Sequence, residues 1–212
     1  SARHAGLEWQ MATSLDSRGV PGRDKSKVLT LVAAASVSGR TTLVAIDGLG
    51  GSGKSTLAAQ LVQELPDPVI VNVDDYYRRL AANERPELGP KDRYDRYFDW
   101  ERLRRAVLAP LNRGVRARYR RHDWATNRLA EWHEVNPGRV VFVEGVYSTR
   151  SELRHYYAVT VYVDTPREQR LARIFNRSYK DMSWVEPWMA TEDWYEKHKR
   201  PKEHVDLVVD GS

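Results

Sequence analysis

The sequence predicts an α/β fold: a five-stranded parallel sheet flanked by helices, with a small β-hairpin excursion and a helical lid. Three observations predict it. Apolar, β-branched runs recur at Thr42–Ile46, Val69–Val73, Val140–Glu144, Val159–Val163 and Val205–Val209, each of a length suited to a strand buried on both faces. Helical patterns separate most of them, the alternation that yields a parallel sheet. Between the first run and an apolar helix lies Gly48-Leu49-Gly50-Gly51-Ser52-Gly53-Lys54-Ser55. It fits Gly-x-x-x-x-Gly-Lys-[Ser/Thr], a phosphate-binding loop in the strand–loop–helix context that motif needs.

Residues 1–27 read as an extension, partly helical over Leu7–Leu15, and residues 28–212 as the phosphate-loop domain. Ser26 to Ser36 carries Val28, Leu29, Leu31, Val32 and Ala35 in an amphipathic pattern that Gly39 ends. The loop's glycines permit close backbone approach. Its N–H groups and the helix start behind it present a concave anion site. Gly48, Gly50, Gly51, Ser52, Gly53, Lys54, Ser55 and Thr56 are therefore the candidate ATP contacts. Lys54 can reach the outer phosphates, and the Ser55 hydroxyl can ligate Mg²⁺. The helix then runs to Leu65, with Leu57, Leu61 and Leu65 on one face and Pro66 as the stop.

The second strand ends in Asp74-Asp75-Tyr76-Tyr77. Ligands of parallel sheets sit beyond the carboxyl ends of the strands, so both carboxylates face the phosphate loop. Asp74 is then placed to accept a proton from an attacking hydroxyl, and Asp74 and Glu144 to share the Mg²⁺ shell with Ser55. Residues 79–97, with Pro86 and Pro90, read as a loop over the site, and Asp99–Asn112 as a helix with Leu103, Val107, Leu108 and Leu111 inward. Val115–Arg120 alternates Val, Ala and Tyr with arginine and pairs with Leu129–Val135 in a hairpin spanning about 113–136. Thr149–Glu152 and Thr165–Glu168 both fit a capping box. That weights Asp164 toward capping rather than Mg²⁺. The helix after Thr165 buries Leu171, Ile174 and Phe175, while Arg170, Arg173 and Arg177 line another face. Those arginines can close over the phosphates as part of a lid over about 166–200 and stabilise charge in a transition state.

Composition bounds the rest. The chain has 212 residues, no cysteine and a formal net charge of +5. It has no apolar run near the ~20 residues that span a bilayer and no basic–apolar–small leader. A cytoplasmic protein with no membrane and no nucleic-acid partner is expected. The basic surplus suits an anionic ligand, and the arginine strand reads as a solvated hairpin face. The sequence leaves a homo-oligomer open.

Five segments together resemble the uridine kinase family, within the group of uridine kinase, phosphoribulokinase and type I pantothenate kinase. They are Ile46–Thr56, Val73-Asp-Asp-Tyr-Tyr77, Tyr97-Phe-Asp-Trp100, Val140–Gly145 and Val161–Pro166, the last leading into Arg170-Leu-Ala-Arg173. The resemblance implies an ATP- and Mg²⁺-dependent kinase acting on a small-molecule hydroxyl, most simply of a nucleoside. It makes Asp74 the base, joins Glu144 to Ser55 at Mg²⁺, and puts Arg173 and Arg177 in the lid, Arg173 assisting transfer with Lys54. It assigns Tyr77 and Asp99 to the acceptor, with Asp75 and Tyr119 beside them, and His122 or Trp124 where the family reads the base. The chain departs from the family at Asn176–Asp181 and at Arg120–Trp124. A sugar, a pantothenate-like compound or a specialised metabolite therefore stays open as acceptor. So does a nucleotide-binding regulatory module without transfer activity.

Overall fold

In the computed structural model, which describes residues 22–79, 88–176 and 182–212, the five apolar runs form one parallel sheet. Its strands are β1 (Thr42–Asp47), β2 (Val69–Asn72), β5 (Val140–Glu144), β6 (Val159–Asp164) and β7 (Leu207–Asp210), in the order β2-β5-β1-β6-β7. The most apolar strands take the middle: every residue of β1 is buried, and β2 and β7 close the edges. Alternate residues face opposite layers. Val44, Ile46, Phe142 and Val161 meet Val28 and Val32 of α1 (Gly22–Ala35) and Leu57 and Leu61 of α2 (Lys54–Val62). On the other face Leu43, Val71, Val141, Val143 and Tyr162 meet an aromatic layer that includes Tyr76, Tyr94, Tyr97, Phe98, Tyr147 and Tyr195.

That second layer comes from the rest of the chain. A helical run, α3, joins Trp100–Leu103, a wider π turn at Arg104–Leu108, and Ala109–Asn112. Pro110 lacks an N–H for the regular ladder, and the turn before it widens. The hairpin pairs β3 (Ala117–Asp123) with β4 (Arg128–Val135), with a bulge between Arg120 and His122. Two helices follow β6: α4 (Arg167–Asn176) and α5 (Met182–Lys199).

Several expectations change. Residues 90–97 are helical turns rather than an open loop, and they bury Tyr94 and Tyr97. Strand β3 starts at Ala117, leaving Val115 exposed, although Ala117 and Tyr119 face inward as the alternation requires. The hairpin arginines are engaged within it: Arg116 and Arg118 with Glu134, and Arg121 with Glu131. Thr149 does not cap a helix, because its hydroxyl is given to Asp47 at 2.6 Å. Thr165 donates to the Ser52 carbonyl at 2.8 Å, tying the start of α4 to the phosphate loop. The largest change is the rotation of α4. Phe175 is 43% exposed and Arg170 only 5%, so the arginine face turns inward. The Gly50 carbonyl and the Glu192 carboxylate of α5 supply what the buried Arg170 guanidinium requires. The N-terminal helix, Pro86 and Arg177 lie outside the described residues.

Candidate active site

The sheet register assembles the site. Glu144 ends β5 and pairs with Ile46 of β1 and Asn72 of β2. The chain leaves β1 into the phosphate loop and β2 into a 3₁₀ turn, Val73–Tyr76, that carries Asp74. The loop, Asp74 and Glu144 thus converge on one sheet edge. Gly51 has φ +76°, and a Cβ there would sit 2.6 Å from the Arg170 carbonyl, so glycine is needed for conformation and space alike.

Ser55 and Glu144 meet directly, Oγ to Oε1, at 3.0 Å. Lys54 Nζ lies 3.4 Å from the Leu49 carbonyl. Asp74 is half-buried, and its carboxyl is pushed up to about 7. Burial is the largest cause, followed by the charge of Glu144; Lys54 opposes both. A hydroxyl and two carboxylates around an anion-binding loop form a hard-oxygen donor set that fits Mg²⁺, which keeps several waters and few protein ligands.

The residues expected on the acceptor side fall in three places. Tyr77 is buried, with its ring 4.7 Å from Trp124, 4.9 Å from Tyr97 and 5.6 Å from Trp188. His122 packs edge-on to Trp124 at 5.1 Å and is fully buried. Asp75 and Tyr119 lie under the hairpin. The Tyr119 ring stacks on His133 at 5.2 Å and packs against Tyr76, also at 5.2 Å, and burial, followed by the Asp75 carboxyl, raises its hydroxyl's affinity for the proton. Asp99 caps α3, accepting the Arg102 N–H at 3.3 Å, and lies 3.5 Å from both Arg78 and Arg102. Arg173 reaches the loop from outside, donating to the carbonyls of Gly51 (3.2 Å) and Gly211 (2.7 Å).

Burial raises the Asp75 carboxyl to about 6, against His133, Arg121 and Arg102, which lower it. An unfolded aspartate releases its proton near 4. Between about pH 4 and 6 the folded state therefore holds the extra proton, and stability falls as pH rises through that window. Asp75→Asn is expected to raise stability at pH 8 by about 1 kcal/mol and to flatten this slope. Urea unfolding at pH 4, 6 and 8 checks it; an unchanged slope would remove Asp75 as its source.

Sequence reasoning missed two groups. Asp47 ends β1 fully buried and accepts from Gly48 N–H (2.7 Å), Tyr147 N–H (3.0 Å), Thr149 N–H (3.0 Å) and the hydroxyls of Thr149 and Tyr195. Glu192 reaches the loop from α5, where Oε1 accepts the Gly50 N–H at 2.8 Å. A signal for it existed. Val185, Met189, Glu192 and Tyr195 fall at i, i+4, i+7 and i+10, so an acid occupies an apolar helical face.

Known proteins agree with this architecture. The AAA domain family matches residues 43–134. A uridine kinase of Borrelia turicatae (strain 91E135) is 26% identical over 176 residues, covering 79% of this chain and 85% of that protein. Among solved structures, a possible uridine kinase from Bacillus stearothermophilus has a TM-score of 0.65 at 22% identity, covering 88% of this chain and 97% of that one. A phosphoribulokinase from Rhodobacter spheroides has a TM-score of 0.56 at 15% identity, covering 82% of this chain and 71% of that one. At those identities the two structures speak for the fold. With that fold and a complete phosphate loop, the chain has the architecture of the P-loop kinases and is similar in sequence to uridine kinases over most of its length.

Proposed function

We propose that this kinase transfers the γ-phosphate of ATP, with Mg²⁺, to a hydroxyl of a small molecule, most simply the 5′-hydroxyl of a uridine- or cytidine-like nucleoside. The observation that carries the reading is Asp74. Its carboxyl stands in the turn after β2 at the mouth of the phosphate loop, where burial and the charge of Glu144 push it up to about 7 against Lys54. A general base works best with a pKa close to the operating pH. Asp74 takes the acceptor's proton as the hydroxyl oxygen bonds to the γ-phosphorus and the bond to the ADP oxygen breaks. Lys54 offsets charge on the phosphates, and Arg173 holds the Gly51 carbonyl that shapes the loop. Ser55 and Glu144, with Asp74 beside them, would hold Mg²⁺, which neutralises phosphate charge when bound. The uridine kinase relatives support the nucleoside acceptor.

A second reading, a non-nucleoside acceptor such as a sugar or a pantothenate-like compound, is favoured by one observation. Tyr119 and His122 are both buried, and the Tyr119 ring is packed between His133 and Tyr76. A regulatory module without transfer activity accounts poorly for a base-like Asp74. Incubation with radiolabelled ATP, Mg²⁺ and uridine, cytidine, ribose, pantothenate or glycerate separates these. Label on uridine or cytidine is the expected result. Label only on another compound would replace the acceptor, and label on none with ATP still bound would favour the module.

A further inference from the structure

Glu192 lies on the phosphate loop, with its carboxylate on the Gly50 N–H. The residue is 1% exposed. Besides the Gly50 N–H, Oε1 accepts the indole N–H of Trp188 at 3.0 Å, and Oε2 lies 3.3 Å from a guanidinium nitrogen of Arg170. The same guanidinium nitrogen is 3.3 Å from the Gly50 carbonyl. Burial pushes the carboxyl up, and among the charges that hold it down Lys54 acts most strongly, ahead of Arg170. A loop N–H, the loop lysine and an arginine of α4 thus converge on one carboxylate. These are the kinds of group a phosphate anion needs, and they are the reason a buried carboxylate is tolerated there.

We propose that Glu192 is a resident anion of the phosphate loop, which competes with the outermost phosphate and so sets the affinity for the triphosphate. Loading exchanges the carboxylate for phosphate and frees Gly50, Lys54 and Arg170. The exchange also releases Trp188, whose ring lies 5.6 Å from Tyr77, so the acceptor pocket registers whether the nucleotide is in place. Glu192 offsets the positive charge of Lys54 and Arg170 around the loop. The inference rests on nucleotide binding by this loop, not on the identity of the acceptor.

Glu192→Gln keeps the shape and removes the charge. Its expected behaviour is two shifts of opposite sign. The empty protein melts at a lower temperature, because Lys54 and Arg170 lose their counter-charge. ATP, measured by calorimetry without acceptor, binds about tenfold tighter, because the competing state is depopulated; ADP gains less. A merely structural glutamate would give a lower melting temperature together with weaker ATP binding, and that result would overturn the proposal, as would unchanged ATP affinity. A second measurement needs no variant at Glu192. In wild-type protein with ¹⁵N-labelled tryptophan, the Trp188 indole resonance, identified by its loss in Trp188→Phe, should move on addition of ATP and Mg²⁺. A resonance that stays put as ATP binds would also overturn it. Failure of phosphate transfer to every acceptor, with these shifts intact, would count against the transferase reading and leave the role of Glu192 standing.

Discussion

Asp74→Asn is expected to bind ATP as the parent does and to lose about 10²–10⁴ in kcat, the range contributed by a positioned acid–base group. The substitution preserves size and removes the proton-accepting oxygen. Asp74 sits at the carboxyl end of β2 in a turn that the sheet itself positions, so the loop should not move. Two neighbours tune it in opposite directions: the charge of Glu144 raises the carboxyl's affinity for a proton, and Lys54 lowers it. Bound Mg²⁺ would act on the same side as Lys54, keeping the base ionised at neutral pH. Calorimetry with ATP and single-turnover transfer to the acceptor found in the screen separate binding from chemistry. Normal turnover by the variant would show that another group takes the proton.

Asp47→Ala is expected to have the largest effect on stability, a loss of about 3–5 kcal/mol. The carboxylate gathers three backbone N–H groups and two hydroxyls from the phosphate loop, the segment after β5 and helix α5. Removal leaves those donors buried without an acceptor, each at its own desolvation cost. The Tyr147 backbone also depends on it: φ is +73° there, a conformation unfavourable for a residue with a bulky side chain, and the Asp47 carboxylate binds its N–H. Urea denaturation at constant slope reports the loss. A change below about 1 kcal/mol would mean that packing, not this carboxylate, joins the three segments.

The phosphate-loop half of the site was legible in the residues because its requirements are local. A glycine that must adopt positive φ, a lysine that must follow it and a hydroxyl that must open a helix are adjacent in the chain. Glu144 and Asp74 were legible for a related reason: both follow apolar runs, and a parallel sheet brings such strand ends to one edge. The acceptor half was less so. Tyr119 and Asp75 were placed with the acceptor by resemblance, and the structure packs Tyr119 between His133 and Tyr76, against the turn that carries Asp75. Side-chain partners across 40 or so residues leave no periodic trace.

Order and alternation of the elements, the loop that holds phosphate and the acids at its mouth were determined by the sequence alone, since strand period, helix period and glycine conformation are properties of short stretches. Only the tertiary structure decided which face of α4 turns inward, because burying Arg170 depends on Glu192, 22 residues further on, and on the Gly50 carbonyl, 120 residues earlier. It alone decided that the Asp47 carboxylate ties three distant segments together and that an acid from α5 sits on the phosphate loop. A charged side chain is buried where enough donors meet it, and where donors meet is set by how the elements pack.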